Sequence, residues 1–341
     1  MSAIILAGGR GTRLRPLTVY TPKPIVPIAN RPLVEYQIEN LVRAGFSDIC
    51  LSLSYQPNRI ESLIGDGSQI GANVTYITEP SPLGTAGAYR FASKDDGPAL
   101  VLNGDILTNI DLSRLVRQHK ETKALVTIAA VEVEDASNFG VLKLGSDGQV
   151  IEFVEKPKEK APQPSFINAG IYLIEPALRK YIQENSASSF ELNVFPTILE
   201  AGEKVFAFRS QSDYWIDVGN PLMYKKANLD LIAGCLNSIF PKSGNAQIAT
   251  RASVDQKSIL GDGCIIKPGA VIENSVLGPG VQVEEKAVIK NSVIWSHTRI
   301  ASAAVIHDSI VCSRGFIGKS AELRSGSVIG DGCSVPDYSI V

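Results

Sequence analysis

The chain has 341 residues, 44% of them hydrophobic, which suits one large domain and a smaller one. Its 33 Lys and Arg against 35 Asp and Glu give a net charge of -2, which leaves no broad basic field for nucleic acid; a small anionic ligand needs only a local patch. The apolar run Ala3 to Ala7 is too short for a signal-peptide core or a membrane span, and the 5 cysteines lack CxxC spacing. These features predict a cytoplasmic chain with reduced thiols, no structural metal and no membrane partner.

The N-terminal stretch Ser2 to Pro24 is a short buried strand, Ala3 to Leu6, that turns abruptly into small residues and cations. Without a Cβ, Gly8, Gly9 and Gly11 can take positive φ and let backbone N–H groups converge on phosphate oxygens. Arg13, Arg15 and Lys23 add full charge, a better match for a triphosphate than for a lone carboxylate. Pro16, Pro22, Pro24 and Pro27 stiffen the segment carrying Lys23. The loop is not GxxxxGK[ST], and Gly9 to Leu14 ends in Leu where a dinucleotide fingerprint needs glycine. Taken alone, it reads equally well as a surface turn with solvated arginines.

GGRGTRLRPLT followed by PKP resembles the signature of the sugar-1-phosphate nucleotidylyltransferases. The resemblance implies that Leu6, Ala7, Gly8, Gly9, Gly11 and Thr12 wrap a nucleoside triphosphate while Arg13 and Lys23 stabilise its phosphates.

Further on, Asn30-Arg31-Pro32 predicts a helix start and Gly45 its end, with strands at Ile49 to Ser54, Val74 to Ile77 and Ala99 to Leu102. This is the βαβ grammar of a parallel sheet, in which ligands gather beyond the carboxyl ends of strands. Glu79 to Ala88 is a loop running into a helix. Gly84 and Thr85 would let a base lie against backbone with helix-start N–H groups as donors, or the segment simply caps a packing helix. It resembles the base-binding loop of mannose-1-phosphate guanylyltransferases; relatives using thymidine or uridine nucleotides usually have glutamine in place of Glu79.

Asp105, after Asn103-Gly104 at a strand end, suits either Mg²⁺ or an Asx turn, and the resemblance implies a metal ligand. His119, in the polar part of a helix over Asp111 to Lys120, is expected to face solvent. A strand follows at Ala124 to Val133 and a hairpin loop at Ser146-Asp147-Gly148. Asn138-Phe139-Gly140-Val141 resembles the family's aromatic-Gly turn, which places Gly140 at the sugar.

In Glu155-Lys156-Pro157 a carboxylate that can accept sugar hydroxyls adjoins an ammonium that can neutralise a sugar phosphate; an exposed ion pair is the plainer reading. EKP followed by NAGIYL resembles the family, implying that Glu155 and Asn168 hold the sugar and Lys156 its phosphate. Phe190 to Leu199 resembles the guanylyltransferase helix ending in VFP, with Leu192 where many members have lysine. Trp215-Ile216-Asp217-Val218-Gly219 resembles W-x-D-x-G, whose aspartate is the second Mg²⁺ ligand. Asp217 could also cap a helix over Pro221 to Phe240.

Pro241 to Asn245 reads as a linker, and after it aliphatic residues recur from Ile248 to Val341 at steps of six, except three steps of five. The short steps, at Asn274-Ser275, Asn291-Ser292 and Asp308-Ser309, are themselves periodic. This is the hexapeptide signature of a parallel β-helix of about five coils, and the resemblance implies left-handed coils. His297 and His307 lie in regular coils with no inserted loop to build an acyl-donor site.

The expectation is an α/β protein: a Rossmann-like mixed-sheet nucleotidyltransferase domain over 1–240, then a left-handed β-helix over 241–341, forming a homo-oligomer. The expected reaction joins a nucleoside triphosphate to a sugar 1-phosphate with Mg²⁺, GTP and mannose 1-phosphate first. Glucose-1-phosphate uridylyl-, thymidylyl- or adenylyltransferases are the alternative, and a non-catalytic nucleotide-sugar-sensing subunit is the alternative of another class.

Overall fold

The computed structural model describes residues 1–93, 97–157, 164–210, 212–236 and 243–341. The chain divides into two compact units, Met1–Arg10 with Val34–Trp215, and Gly11–Leu33 with Ile216–Val341.

The first unit is built on a mixed sheet. Its strands are β1 (Ser2–Leu6), β2 (Asp48–Leu53), β3 (Asn73–Thr78), β4 (Ala99–Asn103), β5 (Val126–Val133), β6 (Gly140–Leu144), β7 (Val150–Glu155), β8 (Ser165–Ile174) and β9 (Val205–Ser210). The order is β7-β6-β8-β4-β1-β2-β3, with β5 also on β8 and β9 on β5. β4, β1, β2 and β3 are mutually parallel. The central β1 and β4 read as near-continuous apolar runs, as expected of strands covered on both faces, whereas the edge strand β3, NVTYIT, is half-exposed. β8 runs antiparallel to both β4 and β5. Strands β6 and β7 pair across the hairpin loop predicted at Ser146 to Gly148, whereas β9 has no counterpart among the predicted elements: VFAFRS gains its strand character from pairing with β5.

The helices are α1 (Leu33–Arg43), α2 (Pro57–Ile64), α3 (Gly84–Ala92), α4 (Leu112–Thr122) and α5 (Phe195–Glu200). A π-turn, Phe190–Val194, precedes α5 where one continuous helix is predicted. Beneath these helices Tyr89, Phe153, Tyr172, Phe190 and Phe195 form an aromatic core. His119 does not face solvent. It is 2% exposed, with Nδ1 2.8 Å from Thr127 Oγ1 and Nε2 3.2 Å from Glu175 Oε1. The helical period turns it inward, and those two partners make the burial tolerable.

In the second unit the helix predicted from Asn30 starts only at Leu33. Pro27–Ile28 and Arg31–Pro32 pair as a tight hairpin, with Ala29 and Asn30 at φ 43° and 68°. Helix α6 (Pro221–Ile232) is shorter than predicted, ending before Gly234 at φ 83°. The rest of that helix prediction, and the start of the expected linker, fall on residues 237–242, outside the described residues.

From Gln247 on, short strands stack into three parallel sheets, one per face of a β-helix. One face pairs Ile248, Ile266, Val283, Ile300, Ile317 and Val335. The second pairs Val254, Ile272, Ile289, Ile306 and Leu323. The third pairs Leu260, Leu277, Ile294, Val311 and Ile329. Every aliphatic column thus buries itself against like residues one coil away. The shortened corners are made by Asn274, Asn291 and Asp308, at φ 46°, 49° and 52°. After each comes a buried serine, and the hydroxyls of Ser275 and Ser292 accept the N–H of Ser292 and Ser309, both at 3.1 Å.

Candidate active site

The end of β1 is held on both sides. Ala7 N–H donates to Ser52 O at 2.8 Å, Gly104 N–H to Leu6 O at 2.9 Å, and the Ser54 hydroxyl to Gly8 O. Leu6, Ala7 and Gly8 therefore sit beyond the carboxyl ends of three parallel strands, where a doubly wound sheet binds ligands. A Cβ at Gly8 would lie 2.7 Å from Glu79 Oε1, so glycine is required there by close approach. At Gly9 a Cβ would meet nothing within 4 Å. Of the three glycines, only Gly11 takes positive φ, 62°.

Glu79 is 7% exposed and both its oxygens are used: Ser52 Oγ donates to Oε1 at 3.1 Å and Leu83 N–H to Oε2 at 3.0 Å. The carboxylate shapes its own loop. Gly84 sits at φ 70°, with Ser188 O only 2.5 Å from where a Cβ would be. Among the helix-start donors expected for a base, Ala86 and Gly87 N–H both bond Ser188 O, at 3.0 and 3.1 Å. Thr85 Oγ1 donates to Glu191 Oε2 at 2.9 Å and accepts Phe190 N–H at 2.9 Å.

Pairing of β8 slips between Asn168 and Tyr172, where Gly170 takes φ 71°. This bulge re-aims Asn168. Its Oδ1 accepts Gly170 N–H at 2.9 Å and its Nδ2 donates to Tyr172 OH at 2.9 Å. Tyr172 OH donates in turn to Glu191 Oε1 at 3.1 Å, and burial together with the Glu191 charge pushes the phenol pKa well up. Glu191, which is not among the site residues read from the sequence, is the hub of this network. The neighbouring Ser189, which donates to Glu191 Oε2 at 2.6 Å, is the signal that could have found it.

Glu155, at the end of β7, lies against Gly140, where a Cβ would be 2.8 Å from its Oε2. Burial raises the Glu155 pKa; the Lys156 charge opposes this and the Glu191 charge adds to it. Lys156, at φ 47°, points its ammonium to within 3.6 Å of Glu155 Oε1 and is 61% exposed, open to an anion. Phe139 packs edge-on to Trp215 at 5.5 Å, and Trp215 Nε1 donates to Ala169 O at 2.9 Å. Gly140, Glu155, Lys156 and Asn168 are thus brought together, with Glu191 and Tyr172 behind them.

Asp105 belongs to the first unit, half-buried after Gly104, whose missing Cβ would be 2.7 Å from Leu6 O. Gly11, Thr12, Arg13, Lys23 and Asp217 belong to the second. There Gly11 packs on Lys23, with 3.1 Å between the Lys23 Cβ and the place of a glycine Cβ, and Thr12 and Arg13 are exposed on a short 3-10 turn. Asp217 is half-buried and does not cap α6: Asn220 Oδ1 accepts Met223 N–H at 3.0 Å instead. Among the described residues no group of three or more His, Cys, Asp or Glu forms a ready-made metal cage. Asp105 follows β4 and Asp217 ends the short strand Trp215–Asp217, and carboxylate oxygens of this kind are the donors that suit a hard divalent cation of the magnesium type.

No helix of the described residues is long and apolar enough to cross a membrane. The family model described as nucleotidyl transferase matches residues 2–234, and the model described as the EIF2B subunit epsilon LbH domain matches residues 237–341. The second match agrees with left-handed coils in the β-helix. The chain is similar to a mannose-1-phosphate guanylyltransferase of Mycobacterium tuberculosis, 35% identical over 80% of this chain and 76% of that protein. It is 37% identical to a mannose-1-phosphate guanyltransferase of Yarrowia lipolytica, over 80% of this chain and 73% of that protein. A probable mannose-1-phosphate guanylyltransferase of Oryza sativa is also 37% identical, over 80% and 76%.

Proposed function

The chain belongs to the nucleotidyl transferase family, and on that premise we propose that it joins GTP to mannose 1-phosphate, releasing pyrophosphate and forming GDP-mannose. The observation that carries the reading is a cluster of carboxylates and one cation. Glu191 is tied to the Asn168 bulge through Tyr172 OH, its charge acts on Glu155, and the Lys156 ammonium lies beside Glu155, a set that suits a polyol bearing one phosphate. The choice of guanine rests on the relatives and on the Glu79 to Ala88 loop.

A phosphate oxygen of the sugar attacks the α-phosphorus, and pyrophosphate leaves without a covalent enzyme intermediate. Two anions must be brought together while charge on the leaving group is neutralised, so positioning and fixed cations supply most of the catalysis. Leu6, Ala7, Gly8, Gly9, Gly11 and Thr12 cradle the triphosphate, and Arg13 and Lys23 neutralise it. Glu79, Gly84 and Thr85 shape the base site, and Lys156 holds the attacking phosphate. Gly140, Glu155 and Asn168 orient the sugar, Asn168 through Tyr172. Asp105 and Asp217 would hold Mg²⁺, which when bound neutralises phosphate charge. In this reading residues 1–240 serve catalysis and 241–341 form the β-helix domain of a cytoplasmic homo-oligomer, with neither nucleic acid nor membrane as partner.

The test is pyrophosphate release with Mg²⁺, each nucleoside triphosphate being paired with mannose 1-phosphate and glucose 1-phosphate. Release chiefly with GTP and mannose 1-phosphate is expected. Release with another pair overturns the substrate assignment but keeps the reaction, and no release from folded protein overturns the reaction.

A further inference from the structure

We infer that Tyr224 and Trp295 are positioning residues for the triphosphate cations, linked in a buried relay from the β-helix through α6 into the segment that carries Lys23. The inference rests on reading Lys23 as a phosphate ligand. Trp295 is 3% exposed and its Nε1 donates to Tyr224 OH at 2.8 Å. The Tyr224 hydroxyl, fully buried, donates to Pro27 O, and the two rings meet edge-on at 6.0 Å. Two further ties fasten the same hairpin. Ala29 N–H donates to Asn228 Oδ1 at 2.8 Å, and Asn30 Nδ2 donates to Leu277 O at 2.9 Å.

What these ties hold is stiff. Lys23 to Ile25 form one 3-10 turn flanked by Pro22 and containing Pro24, and Val26 N–H bonds back to Lys23 O at 3.2 Å. With φ fixed at Pro24 and Pro27 and Val26 N–H bonded back to Lys23 O, a shift at Pro27 is carried to Lys23 rather than absorbed between them. Lys23 in turn packs against Gly11, so the same support reaches the glycine loop.

The repeat itself does not call for Trp295. Its rung lies immediately after the paired positions Leu277, Ile294 and Val311, and the coils on either side carry Gly278 and Cys312 there. A large side chain with one N–H donor is needed at this rung only by Tyr224. Removing the tyrosine hydroxyl takes the partner from the buried indole N–H and from Pro27 O, and removing the indole takes away a bond that fixes that hydroxyl, in either case without altering the aliphatic columns.

The experiment compares Trp295→Phe, Tyr224→Phe and the double variant in steady-state pyrophosphate release, using whichever nucleoside triphosphate is turned over best. KM for the triphosphate is expected to rise about fivefold to tenfold in each, the effect of one buried hydrogen bond, with KM for the sugar 1-phosphate unchanged. The double variant is expected to be no worse than Tyr224→Phe, because the indole acts through the phenol. A merely structural role would lower the melting temperature and the active fraction while leaving both KM values alone. That outcome, an equal rise for both substrates, or additive effects overturns the inference. If the aromatic variants do not fold, Asn30→Ala cuts a separate tie and should raise the triphosphate KM alone; an unchanged value overturns the inference. Lys23→Ala separates the two levels: an unchanged triphosphate KM there defeats the phosphate-ligand reading itself. A raised value there with silent relay variants defeats only the relay.

Discussion

The two units reach order by opposite routes. In the mixed sheet every strand has its own set of partners, and the residues proposed to hold the sugar lie where strand geometry is interrupted: at the Asn168 to Gly170 bulge and at left-handed Lys156 beyond β7. In the β-helix the same rungs recur coil after coil, and individuality shows only where a residue leaves its column. Trp295 stands between Gly278 and Cys312, and Asp308 follows Asn274 and Asn291. Both departures meet α6, Trp295 at Tyr224 and Asp308 at Lys225. In either unit the broken local rule, whether a ladder or a repeat, coincides with a residue that makes contacts its neighbours in the pattern do not.

The largest expected effect tests whether both units serve one reaction. Asp217→Ala in the second unit and Asp105→Ala in the first should each lower kcat by roughly a thousandfold or more, with unchanged circular dichroism. Turnover retained in either variant would confine metal binding to the other unit.

Next comes a contrast inside the first unit. Gly8→Ala drives a Cβ to 2.7 Å from Glu79 Oε1, so it should cost about 1–3 kcal/mol in a urea melt. Gly9→Ala has open space and should leave the melt unchanged while weakening triphosphate binding, since the methyl group enters the space proposed for phosphate. Unchanged binding in Gly9→Ala would move the triphosphate away from this glycine.

A smaller effect concerns pH. Ionised, Glu155 can accept sugar hydroxyls at both oxygens, whereas protonation turns one of them into a donor, and burial holds its pKa above the ordinary 4.5. KM for the sugar 1-phosphate should therefore rise as pH falls through that raised value, and Glu155→Gln should flatten the limb. Persistence of the limb in Glu155→Gln would assign it to another group. The folded state holds this proton more tightly than the unfolded chain, so here stability declines as pH rises between 4.5 and the raised value.

The smallest expected effect is on stability alone. Burial lowers the His119 pKa below 6.5, with Glu175 opposing. The unfolded chain takes up the proton first, so stability is full above about 6.5 and declines as pH falls through that value toward the lowered one. His119→Gln should weaken that dependence in melts between pH 7 and 5, leaving turnover at pH 8 unchanged; an identical slope would show that another group carries it.

The aliphatic columns from Ile248 to Val335 were legible in the sequence because each coil repeats one local rule, so spacing alone sets the pairing. The parallel core, β1 with β2, β3 and β4, was legible for a similar reason: apolar runs separated by helical periods leave few topologies. The candidate site was legible as a set of motifs, carried largely by resemblance. Its internal wiring was not. That Ser188 O takes the N–H groups of Ala86 and Gly87, and that Glu191 meets Thr85, depend on segments about a hundred residues apart meeting, and even Glu79, which bonds Leu83 in its own loop, takes its second partner, Ser52, from another strand. His119 was misjudged on the same ground, since its partners Thr127 and Glu175 lie on other elements. Sequence spacing decides which face a residue takes within its own element. Which donors and acceptors are already used is decided only by what the folded chain brings alongside, because an unsatisfied buried polar group is costly and must find its partner wherever tertiary packing supplies one.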